Sequence, residues 1–183
     1  MPNEKKLKNA LNTLNNDEVR ISGIIEESIV DGPGLRFVIF TQGCLKRCFL
    51  CHNENTQSLS GGYTLKIDDI VSKWQNNPIL SGITISGGEP FLQPKKILKL
   101  VLAAKKDNLD VLIYSGYYYE ELLKMKNEYI GQILKEANFL VDGPFEYKLK
   151  SLNLLFRGSS NQRIIDLKKS FMEKKVIIIE SFE

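Results

Sequence analysis

Outside residues 44 to 51 the chain has no cysteine at all, and its single histidine is His52. An odd total of three cysteines in one short stretch excludes a disulfide framework and points to metal binding or catalysis. No continuous apolar run approaches the roughly 18 residues of a membrane span. The opening "MPNEKKLKNALNTLNNDEVR" also lacks the apolar centre of a signal peptide, so a cytoplasmic protein with reduced thiols is expected. Charge of one sign is missing too: 25 basic and 22 acidic residues leave a net +3. That balance gives no electrostatic case for nucleic acid or for an anionic membrane surface. There is no fixed-period repeat, low-complexity tract or long linker. What remains is 183 residues with 43% hydrophobic content, enough for one domain with a sizeable core.

Short runs rich in β-branched residues alternate with segments of helical period. "VRISGIIEE", "RFVIFTQ", "SGITIS", "DVLIYS", "ANFLVD" and "KVIIIE" read as strands. "TLKIDDIVSKWQNN" places Ile67, Ile70, Val71 and Trp74 on one helical face, and "QPKKILKLVLAAKK" has Pro94 at a first helical position. Leu7, Ala10, Leu11 and Leu14 suggest an amphipathic helix over the first 17 or so residues. The division expected is an extension at 1–18 and a single domain at 19–183. Strands in regular alternation with helices predict an α/β fold with a mostly parallel sheet of about six strands, too few for a complete eight-stranded barrel. The active face then lies at the carboxyl ends of the strands.

Cys44, Cys48 and Cys51 follow the "GC" at the end of the second strand and so fall on that face. A zinc site using His52 as fourth ligand is one reading. Adjacent residues rarely converge on one tetrahedral ion, however, and structural zinc sites usually join two separated pairs. An iron–sulfur cubane normally takes four thiolates. Three cysteines would leave one iron open to something that is not a cysteine of this chain.

The spacing C-x3-C-x2-C, together with "ISGGEP" at 85 to 90, resembles the radical S-adenosylmethionine (radical SAM) family. That resemblance implies a partial, open β/α barrel carrying a [4Fe-4S] cluster on Cys44, Cys48 and Cys51, with S-adenosylmethionine chelating the open iron. It also implies reductive cleavage of the cofactor to methionine and a 5′-deoxyadenosyl radical. Ser86, Gly87, Gly88 and Glu89 are the candidates for the methionine end, the glycines for close backbone approach and Glu89 as acceptor from the amino group. The family often carries an aromatic residue before the last cysteine, near the adenine; here that position is Leu50. His52 and Asn53 match the "CHN" continuation of glycyl-radical activating enzymes and are candidates on the cofactor side.

"DGPGLRFVIFTQGC" at 31 to 44 resembles the approach to the site where a partner's glycine enters in those activating enzymes, making Asp31 and Arg36 candidate contacts. A simple strand connection through Pro33 and Gly34 is the competing reading. "YSGYYYEEL" and "VDGPFEYKLKSLNLLFRGSSNQRIIDL" are similar to activating proteins of anaerobic ribonucleotide reductase, a likeness spanning most of residues 20 to 167. Ser115 and Asp142, at strand ends, are then candidates near the cofactor or a bound cation, whereas Arg157 to Asn161 receive no chemical role. The resemblance implies a protein substrate, the catalytic subunit of that reductase, and a flavodoxin- or ferredoxin-type electron donor; a homo-oligomer is compatible with it. Alternatives are activation of another glycyl-radical enzyme such as pyruvate formate-lyase, small-molecule chemistry of the deazapurine-synthase type, and a non-catalytic iron–sulfur or zinc module.

Overall fold

The structure is a computed structural model that describes residues 17–182. The helix expected over the first 17 or so residues lies outside that range, apart from Asp17. In chain order the elements are β1 (Glu18–Ser28), β2 (Arg36–Thr41), β3 (Tyr63–Lys66), α1 (Ile67–Gln75), β4 (Gly82–Gly87) and α2 (Pro94–Lys106). They continue with β5 (Asp110–Tyr114), α3 (Tyr119–Lys124), α4 (Glu128–Glu136), β6 (Phe139–Asp142), β7 (Arg163–Asp166) and α5 (Leu167–Glu173).

The seven strands form one open sheet in the order β3-β1-β2-β4-β5-β6-β7. β2, β4, β5 and β6 run parallel, while β1, β3 and β7 join at the two sides as antiparallel strands. The fold is α/β and mostly parallel at its centre, not a closed barrel.

One register row explains how the sheet is held. Ile39, Ile85, Ile113, Leu140 and Ile165 stand opposite one another across β2, β4, β5, β6 and β7, all fully buried. Alternate residues of a strand share a face, so this row with Phe37, Ile83 and Val111 makes a continuous apolar surface. Onto it pack Ile70 and Trp74 of α1, Ile97, Leu100 and Val101 of α2, and Ile130, Ile133 and Leu134 of α4. Trp74 meets Phe37 edge to face at 5.9 Å, and its indole N–H donates to Asp107 at 2.8 Å. The opposite face is partly polar: Arg36 and Thr84 lie on it, and Leu112, Val141 and Ile164 form a smaller cluster with Tyr114, Phe139 and Phe156. Toward the strand ends this second face carries Phe40, Ser86 and Tyr114, the floor of the cavity described below.

Two stretches differ from expectation. The helix predicted from Thr64 starts at Ile67, because Tyr63–Lys66 pairs with β1, with Leu65 opposite Val19. "KVIIIE" makes only a single bridge, Ile165 to Ile178, beside β7. The edge position beyond β6 is instead filled by Arg163–Asp166. No helix among the described residues is long and apolar enough to cross a membrane.

Candidate functional site: a cysteine-lined cavity at the strand ends

β2 ends at Thr41, and the chain then turns through Gly43, whose φ of 98° lies in the left-handed region. This turn is clamped from both sides. Gly43 N donates to Thr56 O at 2.7 Å and Cys44 N to Gln57 O at 3.1 Å, so the loop closes on its own far end. From the neighbouring strand, Gly88 N donates to Thr41 O at 2.8 Å and Glu89 N to Gly43 O at 2.7 Å. The glycines after β4 are thereby explained without a ligand. A Cβ on Gly88 would strike the Gly43 carbonyl oxygen, and one on Gly87 (φ 91°) would fall 2.6 Å from Thr41 N. They allow the β4 turn to lie against the root of the cysteine loop, and both also line the cavity.

That cavity, of about 400 Å³, opens at the carboxyl ends of β2, β4, β5 and β6. Cys44, Cys48 and Cys51 all line it, together with Ser86, Gly87, Gly88 and Ser115. Arg47 and Leu50, the residues flanked by these cysteines, take left-handed φ values of 48° and 51°, and Cys51 N donates to Cys48 O at 3.3 Å. The loop thus coils tightly enough to present three thiols to one space. Burial raises the proton affinity of the Cys44 and Cys48 thiols above the ordinary thiol value. Among the described residues no three His, Cys, Asp or Glu side chains converge on a single ion position. A cubane does not ask for that, since each thiolate takes a different iron. The donor set, three sulfurs around one cavity, fits such a cluster.

The remaining candidates divide by which way they face. His52, Asn53, Ser86, Ser115 and Asp31 line the cavity. The His52 ring lies tilted against Phe145, with centroids 4.7 Å apart. Asp31 accepts from Ser28 Oγ at 2.6 Å, and its backbone carbonyl accepts from Thr84 Oγ1 at 2.8 Å.

Glu89, Asp142, Arg36 and Leu50 do not line it. The Glu89 carboxylate is turned under the wall, where it accepts from Phe91 N, Ser115 Oγ and Gly116 N at 2.9 to 3.2 Å. Complete burial outweighs these donors and pushes its pKa up to about 7. Asp142, also fully buried, accepts from Arg163 Nε at 3.0 Å and from Tyr119 N at 2.7 Å, and pairs with Arg163 Nη2 at 2.5 Å. Arg36 has no exposed surface. Its guanidinium donates to Thr84 Oγ1, Pro33 O and Ile83 O and pairs with Asp110, so it braces the 31–34 turn from beneath. Leu50 is 49% exposed and points away from the cavity.

One wall had no role in the sequence reading. Gly143, Phe145, Leu154, Phe156, Arg157, Gly158 and Gln162 also line the cavity. Gln162 ties it together: its side-chain oxygen accepts from Gly158 N at 2.9 Å and Ser159 N at 3.2 Å, and its amide donates to Gly143 O at 3.1 Å. Asn161 donates to Pro144 O at 2.8 Å. The repeated polar residues of "RGSSNQR" were the available signal, since short side chains of this kind bond to nearby backbone.

Residues 30–165 match the family model described as a 4Fe-4S single cluster domain. The anaerobic ribonucleoside-triphosphate reductase-activating protein of Escherichia coli (strain K12) is 36% identical over 149 residues, 76% of this chain and 94% of that protein. The protein of the same name from Enterobacteria phage T4 is 30% identical over 141 residues, 74% and 86% of the two chains. The pyruvate formate-lyase-activating enzyme of Clostridium pasteurianum is 37% identical over 114 residues, 57% of this chain and 48% of that enzyme. The extent of these matches, across the segment that builds the cysteine-lined cavity, shows that the chain belongs to the radical SAM activating enzymes of glycyl-radical proteins, a [4Fe-4S] family that includes the anaerobic ribonucleoside-triphosphate reductase-activating proteins.

Proposed function

We propose that this chain binds S-adenosylmethionine against a [4Fe-4S] cluster and uses it to take one hydrogen atom from a glycine α-carbon of an anaerobic ribonucleoside-triphosphate reductase. The observation that carries the reading is the set of three cysteines facing one cavity, with no fourth anywhere in the chain. Together the cluster and cofactor supply a one-electron cleavage whose 5′-deoxyadenosyl radical takes up the hydrogen, giving 5′-deoxyadenosine and a glycyl radical. Cys44, Cys48 and Cys51, which line the cavity, would hold three irons of the cluster and leave the fourth without a cysteine of this chain. Gly87, Gly88 and Ser86 form the wall against which the methionine end lies. His52, held on Phe145, and Asn53 border the other end. Glu89 fixes Ser115 and Gly116 from behind. Asp31, whose turn is anchored through Thr84 and Arg36, positions the incoming glycine segment.

A protein substrate is supported by the rim. Val30, which lines the cavity, is 72% exposed, and Phe49, between Cys48 and Cys51, is equally exposed. Exposed apolar side chains on the segments that build a site support a macromolecular partner. With only three cysteines the chain holds no second cluster, so the electron comes from a separate donor of flavodoxin or ferredoxin type. Iron–sulfur ligation by free thiols suits a reducing compartment, which supports a cytoplasmic location. The pyruvate formate-lyase-activating relative supports a second reading, activation of another glycyl-radical enzyme by the same steps.

Anaerobic reconstitution should yield about four iron and four sulfide per chain, and the reduced protein should release 5′-deoxyadenosine from S-adenosylmethionine. Replacing any of the three cysteines by Ala should abolish both. Stoichiometric zinc without iron–sulfur absorption would contradict the reading.

A further inference from the structure

Among the described residues two buried polar atoms, Arg157 Nε and Asn161 Oδ1, have no hydrogen-bond partner, and both belong to the segment "RGSSNQR". Buried polar groups in native proteins are almost always paired, so an orphan donor on a cavity wall asks what it is reserved for. Two cationic side chains line the cavity, Lys46 and Arg157. Lys46 is already engaged, 3.6 Å from the Glu121 carboxylate and 4.0 Å from the centre of the Tyr117 ring. Arg157 meets no carboxylate among the described residues. One of its terminal nitrogens, Nη1, donates to Gln162 O at 3.2 Å, which fixes the guanidinium and leaves the edge carrying Nε unused. Its backbone is equally constrained, because the Gln162 side chain holds the adjacent Gly158 and Ser159 amides and reaches across to Gly143 O.

A preorganised guanidinium edge with a free N–H is suited to a planar carboxylate. We propose that Arg157 is the carboxylate-binding residue of this cavity and that it takes the α-carboxylate of S-adenosylmethionine, an inference that rests on the function proposed above. The charges favour this assignment. The carboxylate is the one anionic group of the ligand, and Arg157 is the cavity-lining cation that has no carboxylate partner among the described residues. Arg157 acts here as a positioning residue, setting where the amino-acid end of the ligand lies.

The test measures binding of two ligands to reconstituted wild-type, Arg157→Gln and Arg157→Lys proteins: S-adenosylmethionine, and decarboxylated S-adenosylmethionine, which keeps the sulfonium and amine. Arg157→Gln should weaken S-adenosylmethionine by about ten- to a hundredfold, the range of a charged hydrogen bond, and leave the decarboxylated ligand unchanged. Arg157→Lys, which keeps the charge but not the fork, should give a smaller loss confined to the same ligand. Iron and sulfide content after reconstitution reports folding for every variant, and should Arg157→Gln fail to hold the cluster, or wild-type protein bind only S-adenosylmethionine, the loss of S-adenosylmethionine affinity in cluster-loaded Arg157→Lys decides, an unchanged affinity overturning the role of Arg157. Equal losses for both ligands, or no loss for either, overturn the role of Arg157 while leaving the activase reading standing. Unchanged S-adenosylmethionine affinity with a reduced glycyl-radical yield does the same, transferring Arg157 to the protein partner. Wild-type protein that binds neither ligand overturns both.

Discussion

At the scale of single residues, Glu89 shows how this site is held. Its carboxyl has an ordinary value of 4.5 and is pushed up to about 7 by burial, against the pull of three donors. The folded protein therefore binds a proton that the unfolded chain has released between those values. Stability from this group is fully present below about 4.5 and is lost as pH rises through about 7. Urea unfolding of wild-type protein should show a decline across that window, and Glu89→Gln should flatten it; an unchanged slope would mean that Glu89 is not buried as described. The glycines give a paired prediction. Gly88→Ala drives a methyl into the Gly43 carbonyl and should lower iron retention by displacing the cysteine loop. Gly131→Ala, in α4 with nothing within 4 Å of the added methyl, should raise stability by roughly 0.5–1 kcal/mol and leave iron content alone.

At the scale of elements, what the sequence revealed depended on whether the determining contacts were local. β2, β4, β5 and β6 were legible because buried parallel strands are continuous apolar runs. β3 was not, since "YTLK" abuts a strongly helical pattern and its pairing with β1 is more than 40 residues distant in sequence. β7 is four residues inside a polar motif, while "KVIIIE", better by composition, gains only one bridge. The same distinction holds in the site. Cysteine spacing is local, and the three cysteines could be read directly. Whether Glu89, Asp142 and Arg36 face the cavity or the interior depends on Ser115, Gly116, Arg163, Tyr119 and Asp110, all remote in sequence. The charges of Glu89, Asp142 and Arg36 suggest ligand contact in the sequence, and in the fold each carries hydrogen bonds to the elements around the cavity. Trp74 shows the same dependence in the core. Trp74→Ala should cost about 3–5 kcal/mol by opening the space between α1 and the sheet and leaving Asp107 without its indole donor. Thermal or chemical unfolding checks this, and a loss well below that range would mean that α1 contributes little.

At the scale of the whole molecule, the account separates two activities that share one cavity. In the function proposed above, cleavage of S-adenosylmethionine would need the cysteine loop, whereas activation would also need a partner's glycine to be delivered past the 31–34 turn. Asp31→Ala should therefore reduce glycyl-radical formation much more than 5′-deoxyadenosine release, because a misplacement of about 1 Å can cost on the order of a hundredfold in rate. Equal losses in the two assays would remove Asp31 from substrate positioning. The most direct measurement for the central claim combines the reconstituted protein, S-adenosylmethionine, a reductant and an anaerobic ribonucleoside-triphosphate reductase under strict anaerobiosis, followed by electron paramagnetic resonance of the reductase. The account predicts a glycyl radical whose α-hydrogen hyperfine splitting collapses when the reductase carries α-deuterated glycine. Robust release of 5′-deoxyadenosine with no radical on that reductase, but with a radical on a formate-lyase or turnover of a small substrate, would contradict it.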